Sequence, residues 1–209
     1  MPAVIVIAKS PFPGRVKTRL SPPCSADQAA QIAEAALVET LSTVAATRAT
    51  RHVVALDGEP GPWIPAGFEL IVQRGAGLGE RLGHAFCEVG CCALLVGMDT
   101  PQLGPGLIES ALVELDSADA VLGPTDDGGY WAVGLRAPEP LAFTGVPMSR
   151  ADTFEAQLAR FEDLGLRVGL LPHLRDVDYF DDALAVAKLV PGSAFAASVA
   201  AVATEVLPV

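Results

Sequence analysis

Apolar and polar positions along the chain follow two alternating patterns. The first run, residues 3–8, is continuous, apolar and rich in β-branched side chains, which is typical of a strand buried on both faces of a mostly parallel sheet. A long loop follows. Ser25, with Gln28 three positions later, then predicts a capping box at the start of a helix that reaches residue 46. Strand and helix patterns continue to alternate along almost the whole chain.

The remaining segments are predicted from the same two patterns: short apolar runs indicate strands, and apolar residues at helical spacing indicate helices. Strands are expected at residues 52–56, 68–72, 93–97, 118–122, 130–135 and 167–171. Helices are expected at residues 78–89, 106–115, 152–164, 181–189 and 193–206. This order predicts an α/β fold, in which one domain of residues 1–209 has three layers, α/β/α, around a mainly parallel, mixed sheet. Ligands of such sheets bind at the carboxyl ends of the strands.

The charge balance narrows the class of partner. The chain has 14 basic and 25 acidic residues, a net charge of −11 and a pI near 4.6. Nucleic acids and anionic membranes would be repelled by this charge, so neither is expected as a partner. Residues 1–56 nevertheless carry six basic and three acidic side chains, so a small basic zone is expected within an acidic protein.

Cysteine usage and hydropathy indicate the compartment. The four cysteines and the lack of a signal-peptide pattern fit a reducing environment, which predicts a cytoplasmic protein with free thiols. The apolar C-terminal stretch is shorter than the roughly 20 residues that a membrane-spanning helix requires. It is predicted to be a packed terminal helix.

A basic loop, residues 9–20, follows the first strand. Its glycine, Gly14, permits close approach of the backbone to a ligand, and Arg15, Lys17 and Arg19 alternate in sequence after it. Arginine offers a bidentate fork and lysine a mobile point charge, so together they can neutralise a polyphosphate and stabilise charge that develops on it. The alternative is a solvated basic loop with no ligand.

Two acidic positions follow strands and are candidate metal ligands. Asp99 comes directly after the strand predicted at 93–97, and Asp178 lies in the acidic segment after the last strand. Magnesium prefers one or two carboxylates together with substrate phosphates. The alternatives are that Asp99 caps a turn with Pro101 and that Asp178 has a loop or capping role.

A third candidate lies between the strands predicted at 118–122 and 130–135. Two acids precede two glycines and an aromatic residue, in the order Asp126, Asp127, Gly128, Gly129 and Tyr130. The acids are suited to orient a hydroxylated acceptor or to act as a base, while the glycines leave space for a ligand. A plain hairpin turn would explain the Asp-Gly pair alone.

Five motifs in register resemble one family. They occupy residues 8–20, 73–81, 97–101, 123–130 and 176–178. The sequence is similar to the bacterial group of small proteins with the nucleotide-diphospho-sugar transferase (GT-A-like) fold, often labelled glycosyltransferases and related to small-molecule nucleotidyltransferases. The likeness runs from Ala3 to about Leu184. It departs from the pattern at Met98, where a small residue is expected, and at Tyr179-Phe180, where related enzymes often have Thr-Pro.

The resemblance implies a role for each matching residue. Asp99 corresponds to the metal-binding acid of the fold, and Asp178 to the later acid that completes the site, with Asp176 the alternative. Arg81 is expected near the pocket, positioned by Glu80. The residues assigned to nucleotide phosphates are Lys9, Gly14, Arg15, Lys17, Arg19, Gly79 and Arg81. Those assigned to the acceptor are Asp126, Asp127, Gly128, Gly129 and Tyr130, and those assigned to catalysis are Lys17, Arg19 and Asp127.

These assignments fit a transferase that uses Mg²⁺ or Mn²⁺, a nucleotide-activated donor and a small-molecule acceptor. Glycosyl transfer from a nucleoside-diphosphate sugar is the first hypothesis. Nucleotidyl transfer from a nucleoside triphosphate to a phosphorylated small molecule is the second, and a nucleotide-binding module without turnover is the third. A zinc site of His84, Cys87 and Cys91 on one helix face is a weaker alternative, because no fourth ligand is apparent.

Overall fold

A seven-stranded mixed sheet forms the centre of the fold in the computed structural model, which describes residues 2–206. The strands are β1 (Ala3–Lys9), β2 (Arg51–Asp57), β3 (Phe68–Val72), β4 (Ala93–Gly97), β5 (Ala120–Pro124), β6 (Tyr130–Leu135) and β7 (Val168–Leu170). Their order across the sheet is β3-β2-β1-β4-β6-β5-β7. Only β6 runs antiparallel to its neighbours, β4 and β5. The predicted mainly parallel, mixed sheet is therefore confirmed.

Six α-helices and one short 3₁₀ helix, Thr18–Leu20, accompany the sheet within the described residues. The α-helices are α1 (Ala26–Ala45), α2 (Leu78–Val89), α3 (Pro105–Glu114), α4 (Thr153–Asp163), α5 (Phe180–Ala187) and α6 (Ala194–Val206). The predicted capping box starts α1: the Gln28 backbone N–H donates to Ser25 Oγ (3.2 Å), and the Ser25 N–H donates to Gln28 Oε1 (2.7 Å). Within residues 2–206, no helix has both the length and the apolar character needed to cross a membrane.

Helices cover both faces of the sheet because the side chains of its central strands alternate between two apolar layers. Val4 and Val6 of β1 face the layer that contains buried residues of α1 and α3. Ala3 and Ile5 face the opposite layer, which α2 and α4 complete. All four side chains are fully buried, as expected for a strand covered on both sides.

A third apolar layer lies outside α1, where α5 and α6 pack. It includes Leu20, the last residue of the 3₁₀ helix, and Val177. Both residues are buried, and each is next in sequence to a candidate site residue, Arg19 or Asp178. This layer therefore anchors two loops of the site on the same helices.

The connections create a crevice at the carboxyl edge of the sheet. The chain runs from β1 outward to β2 and β3, then crosses to the other side of β1 and enters β4. At such a reversal the loops after the two central strands diverge and leave space for a ligand. The loop that begins after Lys9 and the loop that carries Asp99 lie on either side of this crevice.

The boundaries of β5 differ most from the prediction. The strand begins at Ala120 instead of residue 118 and ends at Pro124. The Ala118 N–H still donates to the Glu114 carbonyl at the end of α3, so this residue closes the helix and is not free to pair in the sheet. Residues of the β5–β6 turn line the crevice.

Candidate functional site

Two connected chambers occupy the crevice. The first, of about 610 Å³, is called the basic chamber because five cationic residues line it: Lys9, Arg15, Lys17, Arg19 and Arg81. The second, of about 730 Å³, is called the acidic chamber because six carboxylates line it: Asp99, Asp126, Asp127, Asp176, Asp178 and Asp182. Arg19, Asp99 and Asp178 line both chambers.

Lys17 connects the two chambers. Its ammonium lies 2.8 Å from Asp99 Oδ1 and 3.7 Å from Asp178 Oδ1, and it donates to the Val177 carbonyl. The Lys17 side chain is only 8% exposed. The Val177 N–H in turn donates to the Asp99 carbonyl (2.9 Å). The basic loop, the end of β4 and the segment before α5 are thus joined at one point.

The other cations of the basic loop are held differently from one another. Arg19 Nη1 lies 2.6 Å from Asp178 Oδ2, and the charge of that carboxylate raises the pKa of Arg19. Lys9 and Arg15 have no carboxylate within 4.0 Å among residues 2–206. Their charges therefore remain available to an anionic ligand in the basic chamber.

Three carboxylates converge in the acidic chamber, namely Asp127, Asp176 and Asp178, each with a ligand atom within 4.8 Å of the others. Burial, followed by the charges of Asp127 and Asp178, raises the pKa of Asp176 to about 6. Such crowding of carboxylates is relieved by protonation or by a cation. An all-oxygen set of this kind suits Mg²⁺ or Mn²⁺.

Asp127 is held in place by its own turn. Its Oδ1 accepts hydrogen bonds from the Thr125 hydroxyl (2.6 Å) and from the Gly129 N–H (2.8 Å). A Cβ at Gly129 would lie 3.0 Å from the same oxygen, so the small residue permits this contact. The hairpin interpretation and the functional interpretation of the Asp-Gly pair are therefore compatible, because one turn both joins β5 to β6 and orients a carboxylate.

Arg81 lines the basic chamber and is paired with an acidic residue. Its Nη1 lies 2.8 Å from Asp57 Oδ2 at the end of β2. The prediction that Glu80 positions Arg81 is wrong, since Glu80 Oε2 accepts from the Ala76 N–H (2.7 Å). Nearby, the Gln73 amide nitrogen donates to the carbonyls of Ala8 and Ala55 and fixes the floor between β1 and β2.

Three glycines assigned to ligand binding do not line the chambers. Gly14 has φ +75° in open space, which serves the turn of the basic loop. A Cβ at Gly79 would lie 3.2 Å from the Phe143 carbonyl, so this glycine allows α2 to pack closely. Gly128, with φ +83°, would place a Cβ 2.0 Å from the Ala151 carbonyl. Their roles are conformational, and the structure gives none of them a place on the cavity wall.

The remaining predicted positions lie in or beside the chambers, and some lining residues were not predicted. Asp126, Asp127, Gly129 and Tyr130, which were assigned to the acceptor, line the acidic chamber. Asp57 lines neither chamber but pairs with Arg81, and it could have been recognised because it comes at the end of an apolar strand, much as Asp99 does. Ser149, which lines both chambers with φ +60°, lies in a loop without periodic pattern and gives no sequence signal.

The zinc alternative is not supported. Within residues 2–206, the three aspartates above are the one group of three or more His, Cys, Asp or Glu residues whose ligand atoms converge. His84, Cys87 and Cys91 do not form such a group.

Comparisons with solved structures identify relatives of the fold. A protein from Desulfovibrio desulfuricans G20 that carries the provisional name nucleotide-diphospho-sugar transferase is 28% identical, over 98% of this chain and 94% of that one, with a TM-score of 0.86. CMP:2-keto-3-deoxy-manno-octonic acid synthetase, solved with CTP, is 12% identical over 90% and 98% of the two chains (TM-score 0.53). Rv0371c of Mycobacterium tuberculosis, solved with manganese, is 17% identical over 88% and 96% (TM-score 0.51).

The similarity to the Desulfovibrio protein extends over nearly the full length of both chains. It confirms the predicted nucleotide-diphospho-sugar transferase fold. The other two, at low identity, bear on the fold alone. A comparison with curated proteins gives no match. The model of one family, described as uncharacterized proteins conserved in bacteria (DUF2064), matches residues 29–150. That match spans more than half of the chain, and the chain belongs to this family.

Proposed function

We propose that the protein is a divalent-metal-dependent transferase that moves a glycosyl group from a nucleoside-diphosphate sugar to a small-molecule acceptor. One observation carries the proposal: Lys17 joins a chamber lined by cations to a chamber lined by carboxylates, between Asp99 and Asp178. A nucleotide-sugar has the matching asymmetry, with a polyanionic diphosphate beside a neutral sugar. The provisional name of the Desulfovibrio relative agrees with this reaction.

The basic chamber is assigned to the nucleoside diphosphate. Lys9 and Arg15 supply charges with no carboxylate partner within the described residues, and Arg81 adds a third guanidinium or ammonium group to the lining. Diphosphate oxygens accept charge-assisted hydrogen bonds from such groups, and the arginines can do so in bidentate fashion. Lys17 and Arg19, at the border of the acidic chamber, are assigned to the phosphate that becomes the leaving group.

Of the three converging carboxylates, Asp176 and Asp178 are assigned to Mg²⁺ or Mn²⁺, and Asp127 is kept for the acceptor. Asp178 and Asp99 would hold the ion, as the resemblance implies, with Asp176 as a further ligand. The oxygen donors and the raised pKa of Asp176 fit a hard dication, which would neutralise charge on the departing diphosphate. Asp99 is free for this role only when the Lys17 ammonium turns from the carboxylate toward the phosphates.

The reaction is a displacement at the anomeric carbon of the donor sugar. The acceptor hydroxyl oxygen forms the new bond to that carbon, while the bond to the diphosphate oxygen breaks and its electron pair leaves with the nucleoside diphosphate. Asp127 accepts the hydroxyl proton, because its turn aims it into the acidic chamber. Lys17 and Arg19 stabilise the negative charge on the leaving group.

Nucleotidyl transfer is the second candidate, and the pair of cations Lys17 and Arg19 favours it. In that reaction a phosphate oxygen of the acceptor attacks the α-phosphorus of a nucleoside triphosphate and pyrophosphate leaves, so cations at the phosphates carry most of the catalysis. Binding without turnover is the third outcome.

One product assay separates the three candidates. The purified protein is incubated with Mg²⁺ or Mn²⁺ and a panel of nucleoside-diphosphate sugars and nucleoside triphosphates, with sugars, glycosides and sugar phosphates as acceptors. Release of a nucleoside diphosphate with formation of a glycoside supports the proposal. Release of pyrophosphate that requires a phosphorylated acceptor would replace it with nucleotidyl transfer, and saturable binding without product would leave only the binding module.

A matched pair of variants ties the activity to the site. Asp178→Asn removes one carboxylate charge from the junction of the chambers and is expected to lower kcat by at least 100-fold at saturating metal. Asp163→Asn removes the same charge from the exposed end of α4 and is expected to leave kcat unchanged. Equal kcat values in the two variants would contradict the assignment of the active site to the junction of the chambers.

A further inference from the structure

The acidic chamber differs from the basic chamber in having no unpaired cation among the described residues that surround it. Arg19 is held by Asp178 (2.6 Å), Arg150 by Asp152 (2.9 Å) and Arg175 by Asp126 (2.9 Å). His173 Nδ1 also contacts Asp126, at 3.4 Å. A phosphate group that entered this chamber would therefore have to displace an existing ion pair before it found a cationic partner.

The net charge of the lining leads to the same conclusion. Six carboxylates line the chamber with two guanidinium groups, those of Arg19 and Arg150, and Lys17 and Arg175 pair from outside the lining with Asp99 and Asp126. Two carboxylate charges remain in excess, and one bound dication would balance them. An uncharged ligand keeps that balance, whereas a phosphate group would add negative charge where every cation already has a partner.

A buried hydroxyl adds an independent sign of a ligand. Thr100 lines the acidic chamber next to Asp99 and is 1% exposed, and its Oγ1 has no hydrogen-bond partner among residues 2–206. Buried hydroxyls in folded proteins are normally paired, so an unpaired one beside a cavity indicates a place for a polar group of a ligand or a water molecule. Together with the carboxylates it offers many acceptors, which match a ligand rich in O–H donors.

An exposed aromatic ring completes the chamber. Tyr179 lines it and is 57% exposed, although the next residue, Phe180, is buried in the layer between α5 and α6. Asp182 fixes the Tyr179 backbone at the start of α5 by accepting its N–H (2.8 Å). A flat ring beside carboxylates is suited to a sugar, because the ring packs on C–H groups while the carboxylates accept hydrogen bonds from hydroxyls.

From this arrangement we infer that the acidic chamber binds an uncharged, polyhydroxylated acceptor, a sugar or glycoside, and that Tyr179 is its packing surface. The inference rests on the proposed glycosyl transfer and narrows it, since it excludes phosphorylated acceptors. It also gives different roles to the two residues that stand where related enzymes often have Thr-Pro. Phe180 packs in the core, and Tyr179 contacts the acceptor.

The test measures acceptor binding directly and does not require turnover. The protein with Mg²⁺ is titrated with methyl glycosides of common hexoses and with the 6-phosphates of the same sugars, and binding is followed by saturation-transfer NMR. At least one neutral glycoside is expected to bind at least tenfold more tightly than its phosphorylated counterpart. Tighter binding of the phosphates would overturn the inference. So would the absence of binding by every glycoside at a concentration of about 10 mM.

Two substitutions assign the binding to the ring. Tyr179→Ala is expected to weaken glycoside binding at least tenfold, while Tyr179→Phe is expected to retain it because the packing surface is kept. Leu189→Ala removes a similarly exposed apolar side chain outside the cleft and serves as the control. Glycoside binding that survives Tyr179→Ala would contradict the role of the ring.

The inference and the proposed function fail in different ways. If glycosides bind at Tyr179 but no nucleoside-diphosphate sugar is consumed, the acceptor site stands and the glycosyl-transfer proposal falls. If a nucleoside-diphosphate sugar is consumed only with phosphorylated acceptors, the glycosyl-transfer proposal stands and the inference about the acceptor is overturned.

Discussion

Asp176 shows how the acidic chamber shapes the properties of a single residue. Its carboxyl is partly buried beside Asp127 and Asp178, and desolvation together with these two charges raises its pKa to about 6. The neutral form is thus favoured in the folded protein relative to the unfolded chain, where the pKa is about 3.8. In the absence of metal, the stabilisation that this proton gives is complete below pH 4 and is lost as the pH rises through 6.

The variant Asp176→Asn should therefore become more stable than the parent protein as the pH increases from 4 to 8. Asparagine cannot ionise, so it avoids the cost of a buried charge next to two carboxylates. Thermal melting across this pH range, without divalent ions, measures the difference, and Asp163→Asn provides a control at an exposed site. A difference in melting temperature that is independent of pH would contradict the raised pKa.

Lys17 lies between two carboxylates at the junction of the chambers, so its charge can be tested by substitution. Replacing it by methionine keeps most of its length and removes the charge between Asp99 and Asp178. We expect Lys17→Met to raise the KM for the nucleotide donor at least tenfold, and we expect the donor KM to depend less on salt in this variant than in the parent. Lys188→Met, at the exposed end of α5, is the control for loss of one positive charge. A donor KM equal in both variants would remove Lys17 from the phosphate site.

At the scale of elements, the outer apolar layer determines the position of the site loops. Leu20 and Val177 are buried together among α1, α5 and α6, and each is adjacent to a charged residue of the cleft. The sequence predicts the helices, because their apolar spacing is local, but it does not predict this contact between residues that are 157 positions apart. Long-range packing of this kind is decided by the assembled fold.

The substitution Leu20→Ala tests the coupling between packing and site geometry. It should lower the free energy of unfolding by about 2–5 kcal/mol, as is usual for a fully buried leucine. It should also weaken donor binding, because the basic loop loses its anchor. Leu115→Ala removes an equally buried leucine far from the loop. Equal donor affinities in the two variants, measured well below their melting temperatures, would show that the anchor does not position the loop.

The capping box at the start of α1 is expected to contribute less to stability than the buried Leu20 side chain. Ser25→Ala removes the side chain that accepts the Gln28 N–H, and it should cost about 1 kcal/mol of unfolding free energy. Denaturant unfolding measures this, with exposed Ser21→Ala as the control. A cost no larger than that of the control would mean that the cap is not needed.

At the scale of the whole molecule, the sheet order explains why distant motifs meet. Lys17 and Asp99 are both in loops after central strands, and β1 and β4 are neighbours, so their loops open into the same crevice. The alternation of strands and helices was enough to predict this much, since parallel strands end at one edge of the sheet. Asp178 was predicted in the same way, as an acid after the last strand.

Other features depend on contacts that no local pattern contains. The position of Lys17 between two carboxylates, the pairing of Arg81 with Asp57 and the placement of Ser149 all follow from how loops of different length pack. Gly79 packs closely against the Phe143 carbonyl, and its sequence pattern does not distinguish such a helix contact from a glycine beside a ligand.

The central claim is that the cleft binds a nucleoside diphosphate and a divalent ion together. Calorimetric titration of the protein with ADP, GDP, CDP, UDP and dTDP, each with and without Mn²⁺, tests it most directly. We expect at least one of these to bind at least tenfold more tightly with Mn²⁺, and we expect Asp178→Asn to lose this enhancement while Asp163→Asn keeps it. Nucleotide binding that is absent throughout the panel, or that is indifferent to the metal, would contradict the account.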